Sequence, residues 1–328
     1  MVAERVIKST VVIPNYNGIK YIKNCLDSLK EELEEQDFEV IVVDNHSTDK
    51  SLELVKTEYP WVKVIEYSEN TGFCKAVNAG ILAANTPYVI LLNNDTTVEK
   101  GFVVELEKVM EKYPRAFSAG AKMVDMKNPK VIDDAGDFYC ALGWAYARGC
   151  KKPVENYTSI KEVFSSCAGA AIYRKSVFDE IGLFDERHFA YLEDLDIGYR
   201  AKIYGYRNYF APDAIVHHAG SASSGSRHNA FKVDLSSRNS VYVIGKNMPI
   251  LQQLINLPFF MMGYFIKWLF FVRKGLGGNY IRGVFKGISG NLCKEGKIHK
   301  VKFKWAHLGN YVRIQWELWK NTVLRIYY

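Results

Sequence analysis

The stretch that most constrains the fold is YVILLNND, residues 88–95, in which an apolar run passes directly into two amides and a carboxylate. An unbroken apolar run of this length is typical of a strand buried on both faces, as in a parallel sheet. Asp95 therefore stands at the carboxyl end of a predicted strand. A turn explains this polar ending, because Asn and Asp are common in turns. A ligand or metal ion held at the edge of a sheet is the functional alternative to this simpler interpretation.

The segments on the amino-terminal side of this strand alternate between apolar runs and stretches with helical spacing. Such alternation predicts an α/β fold with a mostly parallel, Rossmann-like central sheet flanked by helices. Sheets of this kind bind ligands at the carboxyl ends of their strands. We predict strands at 10–14, 38–45 and 62–67 and helices at 20–33, 49–59 and 74–84.

The second half of the chain is less regular. Residues 168–186 predict a strand of small residues followed by a short helix, and residues 191–206 predict a further helix. Residues 208–220, NYFAPDAIVHHAG, predict two short strands around a turn at Pro212 and Asp213, because proline interrupts a ladder of hydrogen bonds.

Charge divides the chain into an acidic body and a basic, aromatic tail. Residues 246–328 contain fourteen Lys and Arg and two acids, whereas the remainder has a net charge of −5. We therefore predict one domain at 1–245 and a basic helical extension at 246–328. The six cysteines form no C-x-x-C pair and the amino terminus shows no apolar leader, which indicates a cytoplasmic protein.

The tail contains an apolar segment, residues 250–272, that is interrupted by Pro258 and Lys267. It is long enough to span a bilayer, but its polar interruptions suit a span poorly. Basic residues interleaved with aromatic ones are typical of a helix lying on an anionic membrane. We expect peripheral attachment to the cytoplasmic face of the membrane. A true span and a homo-oligomer interface are the alternatives, and no nucleic-acid-binding motif is present.

Two segments near the predicted strand ends suggest a nucleotide site. Asp44 ends a strand and could accept a hydrogen bond from a ribose hydroxyl or a base, although a turn-stabilising Asp is the simpler reading. Gly72 permits tight backbone geometry before a helix, and Lys75 could approach a phosphate there or be solvated. A Walker A loop and a G-x-G-x-x-G motif are both missing, which disfavours P-loop NTPases and dinucleotide dehydrogenases.

Two later segments carry titratable side chains. Glu193 and Asp194 could supply a general base, or simply an acidic first turn favoured by the helix dipole. His217 and His218 end an apolar strand before a loop rich in Gly and Ser. A neutral imidazole binds metals and such a loop suits a phosphate, although a lone histidine is more often structural.

The order of these motifs carries more information than any one of them. The chain resembles the inverting glycosyltransferase family 2, with its GT-A fold, and most closely its rhamnosyltransferase-like subgroup of bacterial surface-polysaccharide enzymes. The resemblance covers about residues 10–246. It rests on VVIPNYNG, VVDNHSTDKS, NTGFCKAVNAGI, LLNNDTTVEKGF, residues 167–206 and VHHAGSASSG, with SSRNSVYVIGKNMP as a less specific match.

The resemblance implies roles for particular residues. Asp194 matches the catalytic base, and Glu193 beside it would position the acceptor or the sugar. Asp95 would hold Mg²⁺ or Mn²⁺, because Asn93 replaces the first acid of the family's metal motif. His218 matches a second metal or diphosphate ligand. The residues implied in nucleotide-sugar binding are Pro14, Asn15, Asn17, Asp44, Gly72, Lys75, Asn78, Asn93, Asn94 and Asp95.

The implied reaction is the metal-dependent transfer of one sugar from a nucleotide-diphosphate sugar to a hydroxyl of a lipid-linked or oligosaccharide acceptor. The first choice of donor is dTDP-rhamnose, with UDP-glucose, UDP-galactose and UDP-N-acetylglucosamine as alternatives. A non-catalytic nucleotide-sugar or glycan-binding protein and a sugar-1-phosphate nucleotidyltransferase are the competing interpretations. A processive synthase is disfavoured, because the chain has no Q-x-x-R-W motif.

Overall fold

The structure, a computed structural model, describes residues 7–34, 36–220 and 228–327. A central sheet has helices packed on both faces. Alternate residues of the same strands contribute to two separate apolar clusters: Val11 and Val40 lie on one face, and Val12 and Ile41 on the other. The two-sided burial that the apolar runs predict is thus confirmed.

The sheet is parallel across its first strands and mixed beyond them. Its strand order is β10-β12-β6-β11-β4-β1-β2-β3, with β5 beside β12 and β7 beside β6. Strand β11 enters antiparallel to both β4 and β6. The predicted parallel arrangement therefore applies to β3, β2, β1 and β4. The strands are β1 (Ser9–Asn15), β2 (Glu39–Asp44), β3 (Lys63–Glu66), β4 (Tyr88–Leu92), β5 (Thr96–Val98), β6 (Ala116–Asp125), β7 (Ile132–Asp134), β10 (Lys161–Val163), β11 (Ala170–Arg174) and β12 (Arg207–His218).

The prediction of two short strands around Pro212 and Asp213 is wrong. One strand, β12, runs from Arg207 to His218, and its register against β6 shifts between Ala211 and Ile215. Proline has no amide hydrogen to donate, so the strand accommodates it in a bulge and then resumes pairing. The bulge matters for the site because it sets the register that brings His218 opposite Asp125 and Thr96.

A two-stranded sheet of β8 (Asp137–Tyr139) and β9 (Ala145–Ala147) lies outside the central sheet. The helices of the body are α1 (Ile22–Glu32), α2 (Ser51–Glu58), α3 (Phe73–Ala83), α4 (Phe102–Lys112), α5 (Phe178–Ile181) and α6 (Glu193–Ile203).

In the part of the chain that the structure describes, five α-helices follow β12: α7 (Ala230–Asn247), α8 (Ile250–Arg273), α9 (Gly277–Leu292), α10 (Lys294–His299) and α11 (Leu308–Tyr327). The change in composition at residue 246 falls inside α7, one residue before its end. Among the described residues, α8 is long and apolar enough to cross a bilayer. A helical carboxyl-terminal extension, as predicted, is present.

Candidate active site

A cavity of about 890 Å³ lies where β1 and β4 end and α6 begins. Most of the predicted site residues line it, although they come from segments far apart in the chain. Parallel strands place their carboxyl ends at one edge of the sheet, which is why Asn15 and the residues after β4 meet there. The predicted residues that line the cavity are Pro14, Asn15, Gly72, Asn93, Asn94, Asp95, Glu193, Asp194 and His218.

Asp44 is buried behind the cavity, and its carboxylate is already engaged by protein donors. The Nδ2 atom of Asn15 donates to Asp44 Oδ1 at 2.8 Å, and the backbone N–H of Ser47 donates to Oδ2 at 2.9 Å. Asn94 Nδ2 donates in turn to Asn15 Oδ1, also at 2.8 Å. Asp44 therefore reaches the cavity through a chain of amides, and this chain orients the turn that carries Asp95.

Asn17, Lys75 and Asn78 also lie off the cavity wall. Asn17 has a φ of 51° and accepts from the backbone N–H of Thr48 at 2.7 Å. The Lys75 ammonium sits 5.6 Å from the centre of the Tyr67 ring. Asn78 is buried, with its Nδ2 donating to the Phe184 carbonyl at 2.8 Å. Asn17 and Asn78 thus hold segments around the cavity through hydrogen bonds, whereas Lys75 contacts the Tyr67 ring.

Gly72 fits its predicted role as a residue of tight geometry. It has a φ of +84°, which side chains rarely tolerate. A Cβ atom at this position would lie 2.5 Å from the Phe189 ring. The loop before α3 is thereby packed directly against the loop before α6, and both line the cavity.

Asp95 and His218 converge at one corner of the cavity. His218 Nε2 is 3.5 Å from Asp95 Oδ1, and its Nδ1 is 2.6 Å from Asp133 Oδ2. Burial alone would lower the pKa of His218, but hydrogen bonds with Asp133 and Asp95 outweigh it and raise the pKa to about 10. The neighbouring His217 points elsewhere, with Nε2 2.7 Å from Glu99. The corner therefore favours positive charge beside Asp95.

The donor set at this corner suits a hard divalent ion only in part. No group of three or more His, Cys, Asp or Glu side chains in the described parts of the chain could hold a metal by itself. A carboxylate and an imidazole from the protein, completed by substrate phosphates and water, fit the habits of Mg²⁺ and Mn²⁺. The Ser and Gly residues after His218, at 221–227, lie outside the described residues.

Glu193 and Asp194 open helix α6 and line the same cavity. Burial raises the pKa of Asp194, although the backbone N–H of Leu195, which donates to Oδ1 at 2.7 Å, partly offsets this rise. Burial and the adjacent Asp194 charge raise the pKa of Glu193 to about 8. Glu193 Oε2 is buried with no hydrogen-bond partner. Such perturbed carboxyls in a cleft mark a functional site.

The loop before α6 holds a strained backbone. Phe189, Tyr191 and Leu192 have φ values of 62°, 71° and 63°, which are costly for residues other than glycine. Asn239 of α7 donates from Nδ2 to the carbonyls of Ala190 at 2.8 Å and Tyr191 at 2.7 Å. Arg238 donates from Nη2 to the carbonyls of Arg187 and His188 at 2.7 and 2.9 Å. We call Arg238 and Asn239, together with the hydrogen bonds they make to these four carbonyls, the α7 clamp.

Two parts of this site were not predicted from the sequence. Asp133 and the cavity-lining Asp137 belong to residues 132–137, IDDAGD, whose concentration of acids was a usable signal. Arg238 and Asn239 lie in SSRNSVYVIGKNMP, which the resemblance included without assigning a role to it.

The central sheet, its flanking helices and the polar cavity at the strand ends form a GT-A fold, the fold of two solved glycosyltransferases. GalNAc-T7, solved with UDP, GalNAc and Mn²⁺, superimposes with a TM-score of 0.60 at 18% identity, over 74% of this chain and 48% of that chain. A mannosyltransferase from Pyrobaculum calidifontis, solved with GDP-Man and Mn²⁺, gives a TM-score of 0.54 at 16% identity, over 87% and 90% of the two chains.

The chain belongs to Glycosyl transferase family 2, whose sequence profile matches residues 10–182. It is similar to the N-acetylglucosaminyl-diphospho-decaprenol L-rhamnosyltransferase of Mycobacterium tuberculosis, with 26% identity over 70% of this chain and 84% of the relative. It is also similar to the poly(ribitol-phosphate) beta-N-acetylglucosaminyltransferase TarS of Staphylococcus aureus, with 34% identity over 29% of this chain and 17% of that protein. The predicted family, fold and glycosyltransferase class are confirmed.

Proposed function

We propose that this glycosyltransferase moves a single sugar from a nucleotide-diphosphate sugar to an acceptor hydroxyl with inversion, and that Asp194 is the base. The observation that carries the proposal is the shared cavity: Asp194, Asp95 and His218 all line it. A donor held at the Asp95–His218 corner and a hydroxyl deprotonated by Asp194 would thus occupy the same cavity.

The reaction needs an acceptor oxygen in line with the bond that breaks and one proton acceptor within hydrogen-bond reach of that oxygen. The Leu195 N–H donates to Asp194 Oδ1 and so orients the carboxylate, which would receive the proton of the acceptor hydroxyl. The acceptor oxygen forms a bond to the anomeric carbon while the bond from that carbon to the diphosphate breaks. The nucleoside diphosphate leaves with the electron pair, and attack from the opposite face inverts the anomeric centre.

Asp95 and His218 are the residues that would hold Mg²⁺ or Mn²⁺, with Asn93 and Asn94 supporting the turn. A divalent ion there supplies Lewis-acid stabilisation of charge on the diphosphate. Asp133 would hold the His218 ring through its contact with Nδ1, and a partner of this kind fixes the orientation of a ligating imidazole.

We propose dTDP-rhamnose as the donor, because the relative matched over most of both chains is an L-rhamnosyltransferase. UDP-hexoses, including UDP-N-acetylglucosamine, are the alternatives, in keeping with the partial match to TarS. The acceptor we propose is a saccharide on a lipid carrier in cell-surface polysaccharide synthesis. The same relative supports this choice, because it is named for N-acetylglucosaminyl-diphospho-decaprenol.

We further propose that residues 1–245 form the catalytic domain and that the extension at 246–328 brings it to an anionic membrane at the cytoplasmic face. The extension contains fourteen basic residues and only two acids, and this positive charge supports the proposed location. Assembly of copies through the extension is the alternative use of the same segment.

The test of the proposed function is the Asp194→Asn variant. The substitution keeps size and polarity but removes the proton acceptor, so transfer from dTDP-rhamnose or a UDP-hexose should fall by at least about 100-fold. Affinity for the nucleoside diphosphate should stay within about twofold, because the change leaves the Asp95 corner intact. Turnover and calorimetric binding are the two measurements.

Asp213→Asn is the matched control, because Asp213 is exposed on the β12 bulge far along the strand from His218. Retention of near-wild-type turnover by Asp194→Asn would reject Asp194 as the base. A wild-type protein that binds sugar nucleotides without turnover would instead be a binding protein. One that joins a sugar 1-phosphate to a nucleoside triphosphate would be a nucleotidyltransferase.

A further inference from the structure

Helix α8 presents an apolar face to solvent along its length. Leu251, Leu254 and Met261 are 70%, 60% and 68% exposed, and Phe265 on the same side is 56% exposed. The helix has 24 residues, which corresponds to a length of about 36 Å. A continuous apolar face of this length on a folded protein marks an interaction surface.

The opposite face of α8 is anchored to the protein. Asn256 and Gln315 of α11 exchange two side-chain hydrogen bonds, each of 2.8 Å. Gln252 accepts from the Tyr199 hydroxyl at 2.9 Å, and Trp144 Nε1 donates to the Gly263 carbonyl at 3.1 Å. A helix that left the protein to cross a bilayer would carry these amides into hydrocarbon without partners, which is costly.

The apolar face continues into a groove of about 640 Å³ between the start of α8 and α11. Trp305 and Trp316, which are 79% and 68% exposed, line it together with Trp319. Gln252 and Gln315 also line the groove, but their side chains are hydrogen-bonded to Tyr199 and Asn256, respectively. The groove therefore extends the apolar surface sideways from α8. We call α8, this groove and the exposed side of α11 the docking face.

Basic residues border the docking face at both ends. Lys300 lines the groove, and the Lys274 ammonium lies 5.2 Å from the centre of the Phe270 ring at the other end of α8. Cations around an apolar, Trp-rich surface complement an anionic lipid interface.

The carboxyl end of α8 lies close to the mouth of the cavity. Phe270 and Phe271 contact the His228 ring, with centroid distances of 5.7 and 5.8 Å. Three residues further, Phe231 contacts Phe189 at 6.3 Å, and both line the cavity. A surface that covers α8 therefore lies next to the entrance of the active site.

From these contacts we propose that the docking face lies flat on an anionic bilayer, with α8 parallel to the membrane and the cavity mouth at the level of the headgroups. This proposal rests on the proposed function, in which the acceptor is linked to a lipid. It adds how the protein is oriented on the membrane when that acceptor reaches the cavity. A sugar attached to a lipid diphosphate would enter the cavity from the interface without leaving the membrane.

The test is co-sedimentation of the full-length protein with vesicles of phosphatidylcholine, with and without phosphatidylglycerol. We expect binding to the anionic vesicles that weakens with added salt and is released by alkaline carbonate. Leu254→Gln should weaken this binding about tenfold, because one buried leucine side chain is lost from the interface. Leu82→Gln is the matched control, since Leu82 is 67% exposed on α3, away from the docking face.

Equal binding of Leu254→Gln and wild-type protein would overturn the proposal, and so would retention in carbonate, which indicates a spanning helix. A dimer in sedimentation velocity that Leu254→Gln dissociates would assign the face to a second copy and also overturn it. The assay scores vesicle binding alone. Donor turnover measured without vesicles therefore reports on the proposed function separately.

Discussion

Two adjacent carboxyls at the start of α6 differ in their surroundings. Asp194 has one oxygen held by the Leu195 N–H, whereas Glu193 Oε2 is buried without a partner. Hydrogen bonds to a carboxylate favour its ionised form, and burial disfavours it. Asp194 is therefore the better proton acceptor at neutral pH, and Glu193 is the carboxyl that is held protonated.

This difference predicts the pH dependence of transfer. A base works only when deprotonated, so turnover should fall as the pH drops, and the fall should begin above the usual pKa of about 3.9 for an Asp. Protonation of Glu193, with its pKa of about 8, should add a second inflection in the wild-type profile. The measurement is kcat/KM from pH 4 to pH 9.

Glu193→Gln is the control for that profile. It should remove the inflection near pH 8 and keep the acidic limb that belongs to Asp194. An inflection near pH 8 that persists in Glu193→Gln would assign that titration to another group. A profile that is flat down to pH 4 would contradict a raised Asp194 pKa.

At the level of secondary-structure elements, α7 holds the loop that leads into α6. The left-handed residues of this loop are strained, and strain persists only where surrounding contacts outweigh it. The α7 clamp supplies such contacts through backbone carbonyls, so it does not depend on which side chains the loop carries. The loop in turn sets where Glu193 and Asp194 point.

We expect Asn239→Ala to lower kcat about tenfold while KM for the donor changes less than about threefold, because the loop loses its support and Asp194 its alignment. Asn291→Ala is the matched control. Asn291 also donates to a backbone carbonyl of α7, that of Val241 at 2.9 Å, and not to a carbonyl of the loop. Equal losses of kcat in both variants would show that the α7 clamp stabilises α7 in general and does not align the loop.

At the scale of the whole molecule, a buried ion network joins the body to α7. Lys246 lies 2.8 Å from both Asp185 and Asp196, and Arg200 lies 2.9 Å from Asp196. Burial alone would raise the pKa of both acids. The Lys246 ammonium outweighs it, lowering the pKa of Asp185 to about 2 and that of Asp196 well below its usual value.

Asp196→Asn should lower the free energy of unfolding by about 3–5 kcal/mol, because it leaves buried cations without their carboxylate. Depressed pKa values also mean that the stabilisation is present above the unfolded pKa of about 3.9 and is lost as the pH falls toward the folded values. Urea unfolding from pH 7 to pH 3 measures both effects.

In that series the wild-type protein should lose stability below about pH 4, and Asp196→Asn should lose less over the same range. Asp213→Asn, at an exposed position, should follow the wild-type curve. A wild-type stability that does not change between pH 5 and pH 3 would show that the network contributes nothing to folding.

Local patterns in the sequence were enough to predict the alternating strands and helices, the buried strand that leads to Asp95 and the family. Apolar periodicity reports which faces are buried, and the carboxyl ends of parallel strands meet at one edge whatever their side chains. The meeting of Asn15 and Asp95 at one edge follows from those rules, whereas Asp194, in the first turn of α6, was expected there from the resemblance alone. The individual roles of all three stay predictions.

Only the tertiary structure decided which polar groups face the cavity and which stand behind it. Asp44 is covered by Asn15 and Ser47, His218 turns to an acid 85 residues away, and Asn239 reaches across to the loop before α6. Each of these pairings depends on strand register, on the β12 bulge or on helix packing. Such contacts join residues distant in the chain, so no local pattern contains them, whereas the periodicity of a strand or helix is written in consecutive residues.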